Sequence, residues 1–90
     1  MSWDDRSDRI NFRAPRLLWT QVADDLRGMI GSGELRPGDK LPGEAEMAQL
    51  YGVSRDTIRR ATAELSEEHL LVILHGRGTF VAEKGQHAGS

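Results

Sequence analysis

Two residues, Gly52 and Val53, are all that separate one stretch of helical apolar spacing from the next, and this restricts the fold of the 90-residue chain more than any other feature. Upstream, Met47, Ala48 and Tyr51 mark the inward stripe of a helix predicted over about Glu44 to Tyr51, and Glu44 and Glu46 in its first turn suit the positive end of the helix dipole. Downstream, Ser54 is an N-cap, and Ile58, Ala61 and Leu65 recur on one face of a helix predicted over about residues 54–68. Ala48 allows close approach of the two helices, Gly52 allows a sharp turn, and Ile58 anchors the second helix in a core.

The remaining elements follow from periodicity. Leu18, Val22, Leu26, Met29 and Ile30 carry the spacing of an earlier helix with one buried stripe; it stops at Gly31-Ser32-Gly33, and Pro37-Gly38 sets a tight turn beyond it. After the third helix, the β-favouring runs Leu70 to Leu74 and Thr79 to Ala82 flank His75-Gly76-Arg77-Gly78, a glycine-bracketed hairpin tip. The fold class is α+β, mainly α. Helix, helix, two-residue break, helix and hairpin is the element order of a winged helix-turn-helix. Residues 1–14 have neither period and read as a flexible N-terminal arm, residues 15–83 as the domain, and residues 84–90 as a tail or linker stub.

Composition narrows the function. The chain is long enough for one small domain, and no site for a small-molecule effector is expected within it. It has no cysteine, its polar N-terminus is not a secretory signal, and no apolar run is long enough to span a bilayer, so the expectation is a soluble, cytoplasmic protein with no membrane partner. No Ser, His, Asp or Lys set has a nucleophile-base arrangement, which argues against an enzyme and leaves no catalytic residue or cofactor to assign. His69 and His75 lack a third ligand at a recognisable spacing, so no metal is expected.

The formal net charge of −2 argues at first against nucleic acid, but the charges are polarised. Asp4, Asp5, Asp8, Asp24 and Asp25 fall in the first third, while Arg55, Arg59, Arg60 and Arg77 form two tight groups. With Ile58, Ala61 and Leu65 turned inward, the outward side of the third helix carries Arg55, Asp56, Arg59 and Arg60. Arg55 and Arg59 share a helix face and have the reach for guanine O6 and N7 in a major groove, whereas Ser54 and Thr57 at the cap suit a phosphate. Taken alone, the same arginines favour a solvated surface helix; joined to the turn and the hairpin they favour a DNA reader. The rival function is a winged helix that binds protein, supported by the acidic balance and by the apolar first strand.

Four segments in order, Leu18-Trp19-Thr20-Gln21-Val22-Ala23-Asp24-Asp25-Leu26, Ser32-Gly33-Glu34-Leu35-Arg36-Pro37-Gly38-Asp39-Lys40-Leu41-Pro42, Tyr51-Gly52-Val53-Ser54-Arg55 and Gly76-Arg77-Gly78-Thr79-Phe80-Val81, resemble the N-terminal domain of the GntR family of bacterial transcription regulators over about Leu17 to Ala82. The resemblance implies a transcription regulator, usually a repressor, that binds a double-stranded DNA operator as a dimer, here weak or DNA-induced. It implies the recognition helix in the major groove and the hairpin tip, residues 75–79, at the minor groove. By position, Arg55 and Arg59 are then base readers, Ser54 and Thr57 phosphate contacts, and His75, Gly76 and Arg77 the wing contact, with Asp56, Arg60 and Thr79 beside them.

The sequence departs from the family pattern in several places. Gly43 and Ala45 stand where Ser and a basic residue are common, removing a cation near the second helix. Asp56 replaces a neutral residue; its carboxylate repels phosphate or accepts from a cytosine amine, which implies an altered sequence preference. His69 occupies a position where glycine is usual and a left-handed backbone is often required. Val72, Ile73 and Leu74 replace polar residues; alternation puts Leu71 and Ile73 on one face and Val72 and Leu74 on the other. Either the first helix or the arm, through Trp3 or Phe12, covers that second face, or it meets a second copy or a partner.

Overall fold

The computed structural model describes residues 3–14 and 16–83. Three helices, α1 (Leu18–Ser32), α2 (Glu44–Tyr51) and α3 (Arg55–Glu67), lead into an antiparallel hairpin of β1 (Leu71–Leu74) and β2 (Gly78–Val81). The predicted stripes are the core: Val22, Leu26 and Met29 of α1 meet Met47 and Tyr51 of α2 and Ile58, Ala61 and Leu65 of α3, with Leu71 and Val81 sealing the hairpin end. Fully burying side chains of this size contributes about 1.5–3 kcal/mol each before entropy is counted.

The break between α2 and α3 works as its composition requires. Gly52 sits at φ 71 with its N–H donating to the Ala48 carbonyl, and Val53 donates to the same carbonyl at 3.0 Å. Glycine adopts this left-handed backbone without the steric cost of a side chain, and the two bonds to the Ala48 carbonyl close the last turn of α2. Ser54 Oγ then accepts from Thr57 N at 3.1 Å, which starts α3 at once. His69 is at φ 63, the left-handed conformation expected there.

The hairpin register pairs Leu71 with Val81, Val72 with Phe80, Ile73 with Thr79 and Leu74 with Gly78. Beyond the Pro37-Gly38 turn, residues 38–41 pair with the other edge of β2: Gly38 N donates to Val81 O at 2.9 Å, Val81 N to Asp39 O at 2.8 Å and Leu41 N to Thr79 O at 2.8 Å. The wing is thereby tied to the loop before α2, and β2 is not left as an open edge.

Two expectations are corrected. The stretch read as a flexible arm is docked: Ser7–Arg9 form a 3-10 turn packed on α2 and α1, and Ile10 is buried in the core. Arg6 donates to Asp25 through Nε at 2.7 Å and Nη2 at 3.0 Å, its backbone N–H reaches Leu50 O at 2.7 Å, and the buried Gln21 holds Asn11 by both its N–H and its carbonyl. The packed unit therefore reaches back well before residue 15, while residues 84–90, read as a tail, lie outside the described residues.

In the hairpin, Leu71 is buried but Ile73, on the same face, is exposed, because the strand runs out past the end of the core. Nor do Trp3 and Phe12 account for the opposite face. Trp3 packs against the main core and Phe12 against the α2–α3 turn, whereas Val72, Leu74 and Phe80 line a shallow depression with Gly38 and Glu83.

Candidate nucleic-acid interface

Helix α3 buries Ile58, Ala61 and Leu65, so its N-terminal half must turn Arg55, Asp56, Arg59 and Arg60 to solvent, and all four are exposed. Ser54 and Thr57 cap the helix and are joined to each other, Ser54 Oγ donating to Thr57 Oγ1 at 3.0 Å. The lone pairs and N–H groups left at this helix start face water, at the positive end of the dipole.

The arginines are not loose. Glu44, in the first turn of α2, is a clamp: one oxygen accepts from Arg55 Nε at 3.0 Å and Arg59 Nη2 at 2.9 Å, and the other from Arg59 Nε at 3.0 Å. Arg59 Nη1 donates to Asp56 at 2.6 Å as well. Arg59 first and then Arg55 hold the Glu44 carboxyl below the usual carboxylate range, and Glu44 in turn raises Arg59. The two arginines therefore differ in readiness. Arg55 gives only Nε to the clamp and keeps its terminal nitrogens for another acceptor, while Arg59 is engaged by carboxylates on both sides.

Arg60 points elsewhere, toward α1, with its guanidinium 4.9 Å from the Trp19 ring centroid. Trp19, Asp56, Thr57, Arg59, Arg60 and Ala63 line a shallow trough along this flank of α3. The stacking fixes Arg60 at the groove between α1 and α3 and leaves the rim of the guanidinium able to donate.

On the other flank, Thr79 and Ile73 of the hairpin line a cleft with Arg59 and Thr62 of α3, Met47 and Glu44 of α2, and Leu41 and Pro42 before it. Thr79 thus lies across a cleft from Arg59. His75, Gly76 and Arg77 form the exposed tip, where Arg77 N donates to Leu74 O at 3.0 Å. Gly78 sits at φ 125, and a β-carbon there would come within 2.8 Å of Lys40 Cε. Glycine is thus required for the backbone, whereas the flexible lysine side chain, which crosses it to the Phe80 ring with Nζ 6.0 Å from the centroid, can move aside.

Two residues of this surface are not anticipated by the sequence. Lys40 places a cation over β2 next to the wing, and Glu44, which the sequence marks only as a dipole partner, orients the two arginines. Sequence spacing holds a weak signal for Glu44, since it opens α2 just as Arg55 opens α3, but only the crossing of the helices puts the carboxylate between the guanidiniums. Among the described residues no group of three or more His, Asp or Glu is placed to hold a metal ion.

The same framework recurs in known proteins. The family model described as bacterial regulatory proteins, gntR family, matches residues 18–81. The histidine utilization repressor of Klebsiella aerogenes is 50% identical over 76 residues, 83% of this chain and 32% of its own length. The HTH-type transcriptional repressor NagR of Bacillus subtilis is 43% identical over 74 residues, 82% of this chain and 30% of its own. The chain thus spans about a third of the length of these relatives. Among solved structures, YtrA from Sulfolobus acidocaldarius, a GntR-family transcription factor, superposes with a TM-score of 0.76 at 34% identity, covering 82% of this chain and 78% of that one. AraR(DBD) in complex with an operator superposes at 0.72 and 37% identity, covering 81% and 94%.

Proposed function

Because the chain belongs to the gntR family of bacterial regulatory proteins, a family of transcription regulators and not of enzymes, we propose that it reads a double-stranded operator with α3 in the major groove and represses the genes beside it. The observation that carries this reading is the pair Arg55 and Arg59, exposed at the start of α3 and held side by side by Glu44. A guanidinium already fixed in orientation loses less freedom when it meets guanine O6 and N7. Ser54 and Thr57 sit where a phosphate meets the helix start, and Arg60, braced by Trp19, reaches a phosphate along the groove wall.

In this arrangement His75, Gly76 and Arg77 enter the adjacent minor groove, with Thr79 and Lys40 at its edge. Asp56, drawn onto Arg59, discriminates against sequences that place a phosphate or a guanine oxygen opposite it and accepts a cytosine amine where one is offered. One such domain has a small contact surface, so two copies are proposed to meet on a two-fold symmetric operator, in the cytoplasm where the genome is. No described helix is long and apolar enough to cross a membrane.

Selection of bound sequences from a random duplex library tests the reading. Arg55→Ala should cost about 1–3 kcal/mol on the selected site and relax preference at one base position. An unchanged preference removes Arg55 as a base reader. If an isotope-labelled chain shows no salt-sensitive response of residues 54–60 and 75–79 to any duplex, the protein-binding alternative takes its place.

A further inference from the structure

The docked arm offers a cationic surface outside the segment that the family model matches, which begins at residue 18. Charge along the arm is divided: residues 4–8 hold Asp4, Asp5 and Asp8, whereas residues 9–16 hold Arg9, Arg13 and Arg16 and no carboxylate. Arg6 is committed to Asp25 and Arg16 to Asp24. Arg9 and Arg13 are exposed, and neither guanidinium has a hydrogen bond or ion pair among the described residues, although the charge of Arg9 also acts on Asp25.

The position of this segment is set at both ends. On one side Ser7 and Phe12 lie against the α2–α3 turn, with Ser7 Cβ 3.5 Å and Phe12 Cζ 3.8 Å from where a β-carbon of Gly52 would be. Gly52 is two residues from the cap of α3, at most about 7.6 Å along the chain. On the other side Gln21 grips Asn11 at the start of α1, where Trp19 stacks on Arg60 of α3. The loop of Asn11, Phe12 and Arg13 is thus held between the α2–α3 turn, which leads into the cap of α3, and the start of α1, and Phe12 is 55% exposed although it is anchored.

We infer that Arg9 and Arg13 form an additional contact to the DNA phosphate backbone, beside the start of α3, with Phe12 holding the loop against the α2–α3 turn. The inference rests on the DNA reading above. Unlike a disordered basic tail, this contact is preorganised by the Arg6–Asp25–Tyr51 network and by Gln21, so little ordering entropy is lost on binding. Being directed at phosphate, it adds affinity and salt dependence without adding sequence preference.

The test is fluorescence anisotropy of the whole 90-residue chain with a labelled random-sequence duplex over a salt series. Replacing Arg9 and Arg13 together by Ala should weaken binding most at low salt and reduce the slope of log Kd against log salt by roughly one to two, about 0.9 for each phosphate no longer neutralised. The double Lys variant should restore the slope, and Arg36→Ala, on the exposed turn after α1, should leave it unchanged. A wild-type slope in the double Ala variant overturns the inference while leaving the DNA reading in place. Failure of the wild-type chain to bind any duplex at low salt overturns both.

Discussion

The same chemistry, arginine against carboxylate, occurs at two places in this molecule with opposite consequences. At the arm, Arg6 and Asp25 are nearly buried, at 12% and 13% side-chain exposure, and Tyr51 donates its phenol O–H to the same carboxylate at 2.6 Å. At the start of α3, Arg55 and Arg59 are 65% and 60% exposed while Glu44 holds them. Where water is excluded, removing one partner strands a charge, so the arrangement is rigid; where water has access, the ion pairs contribute little to stability and exchange readily for another acceptor. One site fastens the fold, and the other keeps two donors aligned for a ligand.

Asp25→Ala is the severest way to break this contrast. It strands Arg6 and the Tyr51 hydroxyl and should cost about 2–3 kcal/mol in urea unfolding, with the arm released and amide protection at residues 6–11 abolished. Tyr51→Phe removes one hydrogen bond to a charged group in a pocket that still fits the ring, and about 1.5 kcal/mol is expected by the same measurement.

The acid response sharpens the contrast further. Burial pushes the Asp25 carboxyl up, but hydrogen bonds from Arg6 and Tyr51 and the charges of Arg6 and Arg9 together outweigh it and hold the group below its ordinary value of 3.8. Its folded value being the lower, Asp25 contributes stability that is fully present above about pH 4 and is lost as pH falls through the folded value. Unfolding measured down to about pH 2 should show a smaller acid loss in Asp25→Asn than in wild type. An equal loss would place the acid sensitivity in other carboxylates, such as Asp24 on Arg16 or Glu68 on Arg27.

Changes at the exposed site should move binding and leave the fold nearly intact. Glu44→Gln is expected to alter stability by less than about 1 kcal/mol, to raise affinity for random DNA and to reduce discrimination among sequences, because the arginines gain freedom as a negative charge is removed. Asp56→Asn should act in the same direction but more weakly, a rise of a few-fold in affinity with a changed base preference at one position, read from library selection. A large loss of stability in Glu44→Gln would show that this clamp fastens the fold too.

Much of this architecture is legible locally. The limits of α2, the Ser54 cap, the turn at Gly52 and the glycine-bracketed hairpin each depend on residues adjacent in the chain, and each stands where the pattern puts it. The arm is different. Its only apolar signals are Trp3, Ile10 and Phe12 in a polar stretch, too few to show a period, and its docking depends on Arg6 meeting Asp25 and Tyr51 across two helices. Ile73 shows the converse limit: alternation assigns its face correctly, but how far the strand extends beyond the core decides its exposure.

By itself the sequence determined the three helices, the hairpin, the inward stripe of each element and the arginines that this leaves outside, because helix period, capping and turn chemistry act over a few neighbouring residues. Only the tertiary structure decided that Glu44 lies between Arg55 and Arg59, that Lys40 crosses Gly78, and that the first fourteen residues include a docked segment with two exposed arginines outside its ion pairs. The pairs that make these arrangements are well separated in the chain, Glu44 and Arg55 by 11 positions and Asp25 and Tyr51 by 26. An ion pair or a close packing contact at such separations exists only after helices and strands have been brought together by the burial of their apolar faces.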